Sequence, residues 1–261
     1  MKLSRLIFVL FILVVEINAR PFTILSTISP PFKYLDKNGQ PSGIHIDIWK
    51  KIFKELNIEY DFDIGHMGSK RVKHEIEEGR AELHFNLSKR PERLEKYIFP
   101  EESYVIQTWN FFIRAEYKEK IKYEALEDLK GWIIGATRSY TYTKEFWGAG
   151  LDLEISSVNK LQIEKLLNNR IDVVILKTTR TLYQLQQRGI LDKVYVLPKP
   201  LISKRYYNAF SRSSTQKDKG RVIRNFDRII RRMKKNGTIK AIYERYFEQA
   251  PPWLSLDVRA P

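Results

Sequence analysis

The chain has 261 residues, 43% of them hydrophobic and 13% aromatic, and it carries 46 Lys+Arg against 31 Asp+Glu, a formal net charge of +15. That length buries a real core and allows two domains of ordinary size. With no cysteine anywhere, disulfides, thiolate metal sites, a cysteine nucleophile and a lipid on an N-terminal cysteine are all excluded.

Lys2 and Arg5 precede an unbroken apolar run from Leu6 to Val15, and Ile17-Asn18-Ala19 supplies a small-residue cleavage site. The run is too short to span a bilayer comfortably, so residues 1–19 read as a removed secretory signal, the alternative being an N-terminal membrane anchor. No later stretch is apolar enough to cross a membrane. The leader holds Lys2, Arg5 and Glu16, a net +1, so the mature chain keeps +14 of the +15. An exported, unanchored chain without disulfides belongs in a periplasm. Its basic surface attracts anions. Export, and the lack of an aromatic-plus-basic binding motif, argue against nucleic acid.

In the mature chain, "PFTILST" reads as a strand and "SPPFKYLDKNGQPSG" as a loop with turn chemistry at Asn38-Gly39 and Pro41. Ile44, Ile48, Ile52 and Leu56 recur every four residues and predict a helix to Leu56. "IEYDFDI" is a strand, Arg71 to Glu78 a short helix ended by Gly79, and "AELHFNL" a strand. Pro91 suits the first turn of a helix, and "TWNFFIR" is another strand. A second series follows. "ALEDLKG" is a short helix, "WIIGAT" a strand, and Thr141 or Thr143 caps the next helix. "LDLEIS" is a strand, Asn159 to Asn168 a helix, "DVVIL" a buried strand, and Thr178 to Arg188 a helix. "VYVLP" and "YYNAFS" are strands, and two helices close the chain, Thr215 to Asn236 and Thr238 to Phe247. The cation-rich run Arg221 to Lys235 reads as the solvated face of an amphipathic helix. This alternation predicts an α/β fold with largely parallel sheets.

The most informative stretch is "HFNLSKRPER". Ligands of open α/β sheets bind beyond the carboxyl ends of strands, near helix N-termini. Ser88 stands at such an end, and Arg93 offers a planar two-pronged donor to a carboxylate. With free backbone N–H groups they would form an anion cradle. The plainer reading pairs Arg93 with Glu92, Glu95 or Glu101 on the surface.

Four stretches, in order, are similar to the bacterial extracellular solute-binding proteins of family 3. "SPPFKYLDKNGQPSGIHIDIWKKI" resembles the family's opening, with its Gly-x-x-x-Asp helix start at Gly43 and Asp47. "EEGRAELHFNLSKRPERLEKYIFPEESY" resembles its strand–Ser/Thr–Glu–Arg element, "DLKGWIIGATRSYTYTKEF" its second-lobe opening, and "MKKNGTIKAIYERYF" its closing helices. The resemblance implies a two-lobed type II periplasmic-binding-protein fold, each lobe a mainly parallel sheet flanked by helices, joined by two crossing strands near 110–114 and 202–207. Lobe 1 would be residues 20–112 plus 204–261, and lobe 2 the inserted 113–203. Ligand would favour closure by touching both lobes. The resemblance also implies that Arg93 holds a ligand carboxylate and Ser88 assists, with Asn86 a further contact. Thr141 would supply a hydroxyl at the start of a second-lobe helix, and Tyr140 beside it would line the cleft or merely pack.

The departures carry information of their own. The family's amino-acid receptors usually place an aspartate just past the "DVVIL" strand, where it meets the ligand ammonium, and here that position holds Lys177. Ser29 replaces an aromatic platform before the Pro-Phe. A subgroup has Trp two residues before an arginine; here Ser69 stands in that place and Arg71 remains, either in the cleft or solvated. A cationic cleft suits a carboxylate ligand without a free ammonium, while Lys177 turned outward would suit an ordinary polar amino acid.

His45, His66, His74 and His84 lack metal-site spacing, and no nucleophile elbow or phosphate loop is present. The expectation is therefore a monomeric receptor, not an enzyme, with no cofactor and no metal, whose partners are a small polar amino acid or organic acid anion and an ABC permease. A prephenate-type dehydratase on the same fold and a ligand-sensing module for a membrane partner are the alternatives.

Overall fold

The computed structural model describes residues 20–138, 140 and 142–247, so the expected signal segment and Thr141 lie outside the described residues. The elements run β1 (Phe22–Ser26), β2 (Tyr34–Leu35), β3 (Pro41–Ser42), α1 (Ile44–Leu56), β4 (Tyr60–Ile64), α2 (Ser69–Glu77), β5 (Leu83–Leu87), β6 (Tyr97–Ile98) and β7 (Val105–Arg114). Then come β8 (Ile134–Thr137), α3 (Lys144–Gly148), β9 (Leu153–Ser156), α4 (Gln162–Leu167), β10 (Val173–Lys177), α5 (Thr178–Gln187), β11 (Val194–Ser211), α6 (Lys219–Lys235) and α7 (Thr238–Glu244).

The backbone is organised on an antiparallel ribbon of β7 and β11, paired from Val105–Tyr206 at one end to Arg114–Val194 at the other. Along Trp109–Ile113, β7 also pairs antiparallel with β10, and β10, β8 and β9 continue as parallel neighbours. At the other end, β11 carries β5 and β6 on its two edges. β1 and β4 pair in parallel beside β5. The sheet is mixed rather than largely parallel, because the ribbon reverses direction against both parallel sets. The separate strands expected at "VYVLP" and "YYNAFS" are one strand, with its register shifting between Val196 and Ile202 around Pro200. Proline cannot donate to a ladder, so a kinked strand is what Pro198 and Pro200 allow.

Apolar periodicity sets the layers. α1 buries Ile44, Ile48, Trp49, Ile52, Phe53 and Leu56 against β1 and β5 together with Phe226, Ile229 and Ile230 of α6. Val72 and Ile76 of α2 cover the other face with Leu25, Leu87 and Tyr97. β10 is buried on both faces: Val173 and Ile175 join Phe111 and Phe146, while Val174 and Leu176 join Phe112 and Leu185. Gly43 opens α1 at φ 122°, where a Cβ would lie 2.5 Å from the Phe32 carbonyl oxygen, so glycine is required there. Asp47, one turn on, accepts from Tyr246 Oη (2.7 Å) and Arg245 (2.9 Å), tying α1 to the chain beyond α7.

Several helix boundaries moved. α6 begins at Lys219, since the Gln216 side chain accepts from the Asp218 and Lys219 amides and ends the preceding loop. Pro91–Arg93, Leu126–Leu129 and Asn159–Leu161 are single 3₁₀ turns, the last running into α4. Thr143 caps α3 through its Oγ1, which accepts from Phe146 N at 3.1 Å.

Candidate functional site

Four chain segments meet at one cleft. The loop after β1 contributes Ser29 and Phe32, the end of β5 contributes Asn86, and the middle of β7 contributes Gln107 and Thr108. The junction of β10 and α5 contributes Lys177, Thr178, Thr179 and Arg180. The space they surround is open to solvent on one side, and its enclosed part is small, about 70 Å³.

Each wall follows from local sequence. Asn86 takes φ 56°, the left-handed region that asparagine tolerates better than most residues, just before β5 ends. The Gln107 Oε1 is buried among the described residues without a protein hydrogen-bond partner, and the Asn86 side chain faces the buried His45 ring. Buried carboxamides at a cleft wall are polar groups that can accept from a solute as well as from the protein. On the opposite wall, Thr178 is fixed by a chain of hydrogen bonds. Thr108 Oγ1 donates to Thr178 Oγ1 (2.8 Å), and Thr178 Oγ1 donates to Asn110 Oδ1 (2.6 Å). Asn110 Nδ2 in turn donates to the Leu197 and Pro198 carbonyls at 2.9 and 3.1 Å. The ribbon thereby positions the first turn of α5, whose N-cap Lys177 makes no side-chain capping bond and which holds no acidic residue. Such a turn carries the positive end of the helix dipole.

Lys177 caps that wall. Its Nζ lies 5.2 Å from the centre of the Trp109 ring, and burial first, then the neighbouring Arg180, lowers its pKa. The cleft thus has a cationic wall on the α5 side and a neutral amide and hydroxyl wall facing it. An anionic group fits the first and a donor the second.

The structure brings Ser29, Asn86 and Lys177 together in this cleft. Arg93 and Ser88 are together elsewhere. Arg93 is half-buried, and its Nη1 donates to Ser88 O (2.8 Å) and Oγ (2.6 Å). It lines an adjoining hollow with Ser69, Lys70, Lys73, His84 and Lys96, and Ser88 lines another with Lys89, Arg90, Lys204 and Arg205. The surface carboxylates do not take Arg93: Glu92 faces Arg90 at 3.9 Å, and Glu101 pairs with Arg231 at 3.0 Å. Arg71 is exposed on α2 and pairs with Glu75. Tyr140 is half-buried, stacked on Tyr142 with ring centres 6.0 Å apart, and packs against the core around Phe111.

Phe32, Gln107, Thr108, Thr178, Thr179 and Arg180 were not singled out from sequence. A signal existed for two of them, since Gln107 and Thr108 interrupt an apolar strand. Of the histidines, His66 and His74 are exposed, and His45 is buried with its Nδ1 2.8 Å from Tyr104 Oη. Among the described residues no group of three or more side chains is placed to hold a metal ion.

The sequence model of the bacterial extracellular solute-binding proteins, family 3, matches residues 23–249. None of the curated proteins matches the chain. Solved structures share the fold. The second substrate-binding domain of GlnP from Lactococcus lactis, in an open conformation, is 19% identical, with 88% of this chain and 98% of that one covered and a TM-score of 0.73. The second substrate-binding domain of an amino acid ABC transporter assigned in Streptococcus pneumoniae is 18% identical, with coverage of 87% and 99% and a TM-score of 0.72. The unliganded L-cystine solute receptor of Neisseria gonorrhoeae is 17% identical, with coverage of 88% and 94% and a TM-score of 0.71.

Proposed function

The chain belongs to the bacterial extracellular solute-binding proteins of family 3, and we propose that it is a periplasmic receptor for a small carboxylate-bearing polar solute, an amino acid or related organic acid. The observation that carries this reading is the cleft with two unlike walls: Lys177, Arg180 and the positive start of α5 on one side, and the carboxamides of Asn86 and Gln107 on the other. A carboxylate laid against the first wall gains charge-assisted hydrogen bonds in a partly dry site. A hydroxyl, amide or ammonium of the same solute donates to the second.

The walls belong to two lobes, residues 20–112 with 204–261 and residues 113–203, joined through β7 and β11. A solute that touches both walls favours closure, because the open form lacks half of those contacts. Arg93 acts at the end of β5, where it holds Ser88 and adds to the positive field. Delivery is to an ABC importer, and the receptor works as a monomer.

Calorimetric titration of purified protein with the common amino acids and with small dicarboxylates tests the reading. Saturable binding of a carboxylate solute at one site per chain is expected, weakened at least about tenfold in Lys177→Gln. Absence of binding across both sets, by protein that melts cooperatively, would overturn it.

A further inference from the structure

A second feature, distinct from the cleft, sits between β1 and α2. Lys33 is 8% exposed, and its Nζ donates to Ser26 Oγ and lies 5.5 Å from the centre of the Phe85 ring. Among the described residues no carboxylate lies within 4 Å of it. The acids of every neighbouring element are engaged elsewhere. Glu75 pairs with Arg71 and Arg80, Glu77 faces Lys73 and accepts from Tyr97 Oη, and Glu82 pairs with Arg20. The titratable groups that do face Lys33 are His45 and His84, and burial first, then the Lys33 charge, lowers the pKa of both. An ammonium with three donors is therefore buried with one hydroxyl partner among the described residues and with no counter-charge, an arrangement that costs free energy as it stands.

Lys33 borders a hollow of about 70 Å³ together with Ser26, Thr27, Ser69 and His84 over an apolar floor of Leu25, Val72, Ile76 and Phe85. Ser69 opens α2, whose N-cap Gly68 supplies no side-chain acceptor and whose first turn has no acid. The helix end thus points unneutralised N–H groups toward the same space. Ser69 and His84 also line the adjoining hollow, where Lys70, Lys73, Arg93 and Lys96 outnumber the carboxylates Glu77 and Glu92, a net basic approach from solvent. We propose that the hollow of Lys33, Ser26, Thr27 and Ser69 is an oxyanion-binding subsite, which takes a carboxylate, sulfate or phosphate group against the Lys33 ammonium and the first turn of α2. The same charge has two possible carriers, a free inorganic anion or a second acidic group on a solute held in the cleft.

The test follows the lysine itself. Burial brings Lys33 down to about 8. An anion that prefers its charged form tenfold raises that value by about one unit. Side-chain NMR of lysine-labelled wild-type protein, titrated in chloride, sulfate, phosphate or succinate at constant ionic strength, reads this directly. An upward shift of about one unit or more at Lys33 in sulfate or phosphate supports a free-anion site. A shift in succinate alone supports an acidic group borne by the solute. No shift in any of the three overturns the proposal. In parallel, the anion-induced rise in melting temperature should vanish in Lys33→Met and persist in Lys51→Met, an exposed α1 lysine, and a rise that survives Lys33→Met also overturns it. The outcome is separable from the receptor reading. Cleft binding that depends on Lys177 but leaves Lys33 unmoved defeats the subsite alone, and a Lys33 response without any solute binding in the cleft defeats the receptor alone.

Discussion

Lys177, at the end of β10, holds its Nζ 5.2 Å from the Trp109 ring centre, and Lys33, beside β1, holds its Nζ 5.5 Å from the Phe85 ring centre. The aromatic contact is nearly the same. The surroundings are not: Lys177 is half-buried at the rim of an open cleft, while Lys33 is 8% exposed. A cation-π contact recovers only about 1–2 kcal/mol, less than full desolvation of an ammonium costs. Burial therefore decides the outcome, and only Lys33 is carried down to a value near 8. One aromatic partner thus accompanies a half-buried cation at the cleft rim and a deeply buried one beside β1, burial lowering the pKa of both.

Three measurements press on that contrast. The largest effect is expected from Lys177→Asp, which reverses the charge of the cationic wall. Binding of a carboxylate solute should fall on the order of 100-fold in calorimetry, with the melting temperature little changed because the side chain is half-exposed. Unchanged affinity would remove Lys177 from the site.

Next is the alkaline limb of stability. The folded-state value of Lys33, about 8, lies below its unfolded value near 10.5, so between them the unfolded chain binds more protons. Raising the pH through that window therefore stabilises the fold, by about 3 kcal/mol at most. Lys33→Met should be more stable than wild type below pH 8 and lack this contribution above it, in denaturant titrations at stepped pH. Parallel curves for the two proteins would show that Lys33 is hydrated.

The smallest effect is expected from Arg71→Ala. The side chain is exposed and pairs with Glu75 within one helix, a contact worth about 0.5 kcal/mol or less. Neither solute affinity nor melting temperature should move measurably. A loss of affinity would place Arg71 in the cleft.

The α/β layers were legible because burial is written in periodicity. The four-residue spacing of Ile44, Ile48, Ile52 and Leu56 gave α1, and the apolar run of "DVVIL" gave β10, covered on both faces. What could not be read was long-range pairing. Nothing local in "VYVLPKPLISKRYYNAFS" says that two short strands join through Pro198 and Pro200, since the partner that aligns them, β7, lies far upstream. The site divides in the same way. Asn86 was singled out from its place near the end of β5, and Lys177 from the resemblance, because it stands where the family's receptors usually have an aspartate. Gln107 and Thr108 were missed because their exposure to the cleft depends on where β10 lands beside β7. Ser88 and Arg93 were paired from sequence and do meet, across the single 3₁₀ turn Pro91–Arg93 where an α-helical start was expected.

The pairing of Arg114 with Val194 places the two ends of residues 115–193 opposite each other on neighbouring strands, about 5 Å apart. A stretch that departs and returns at one spot makes the geometry of a cassette. Replacing it with a tight turn would close β7 and β11 into a plain hairpin, and a foreign domain whose termini lie as close could be spliced in without altering the remaining ladder. The ribbon is thus a socket for modular exchange, a property set by backbone topology and indifferent to which solute the cleft admits.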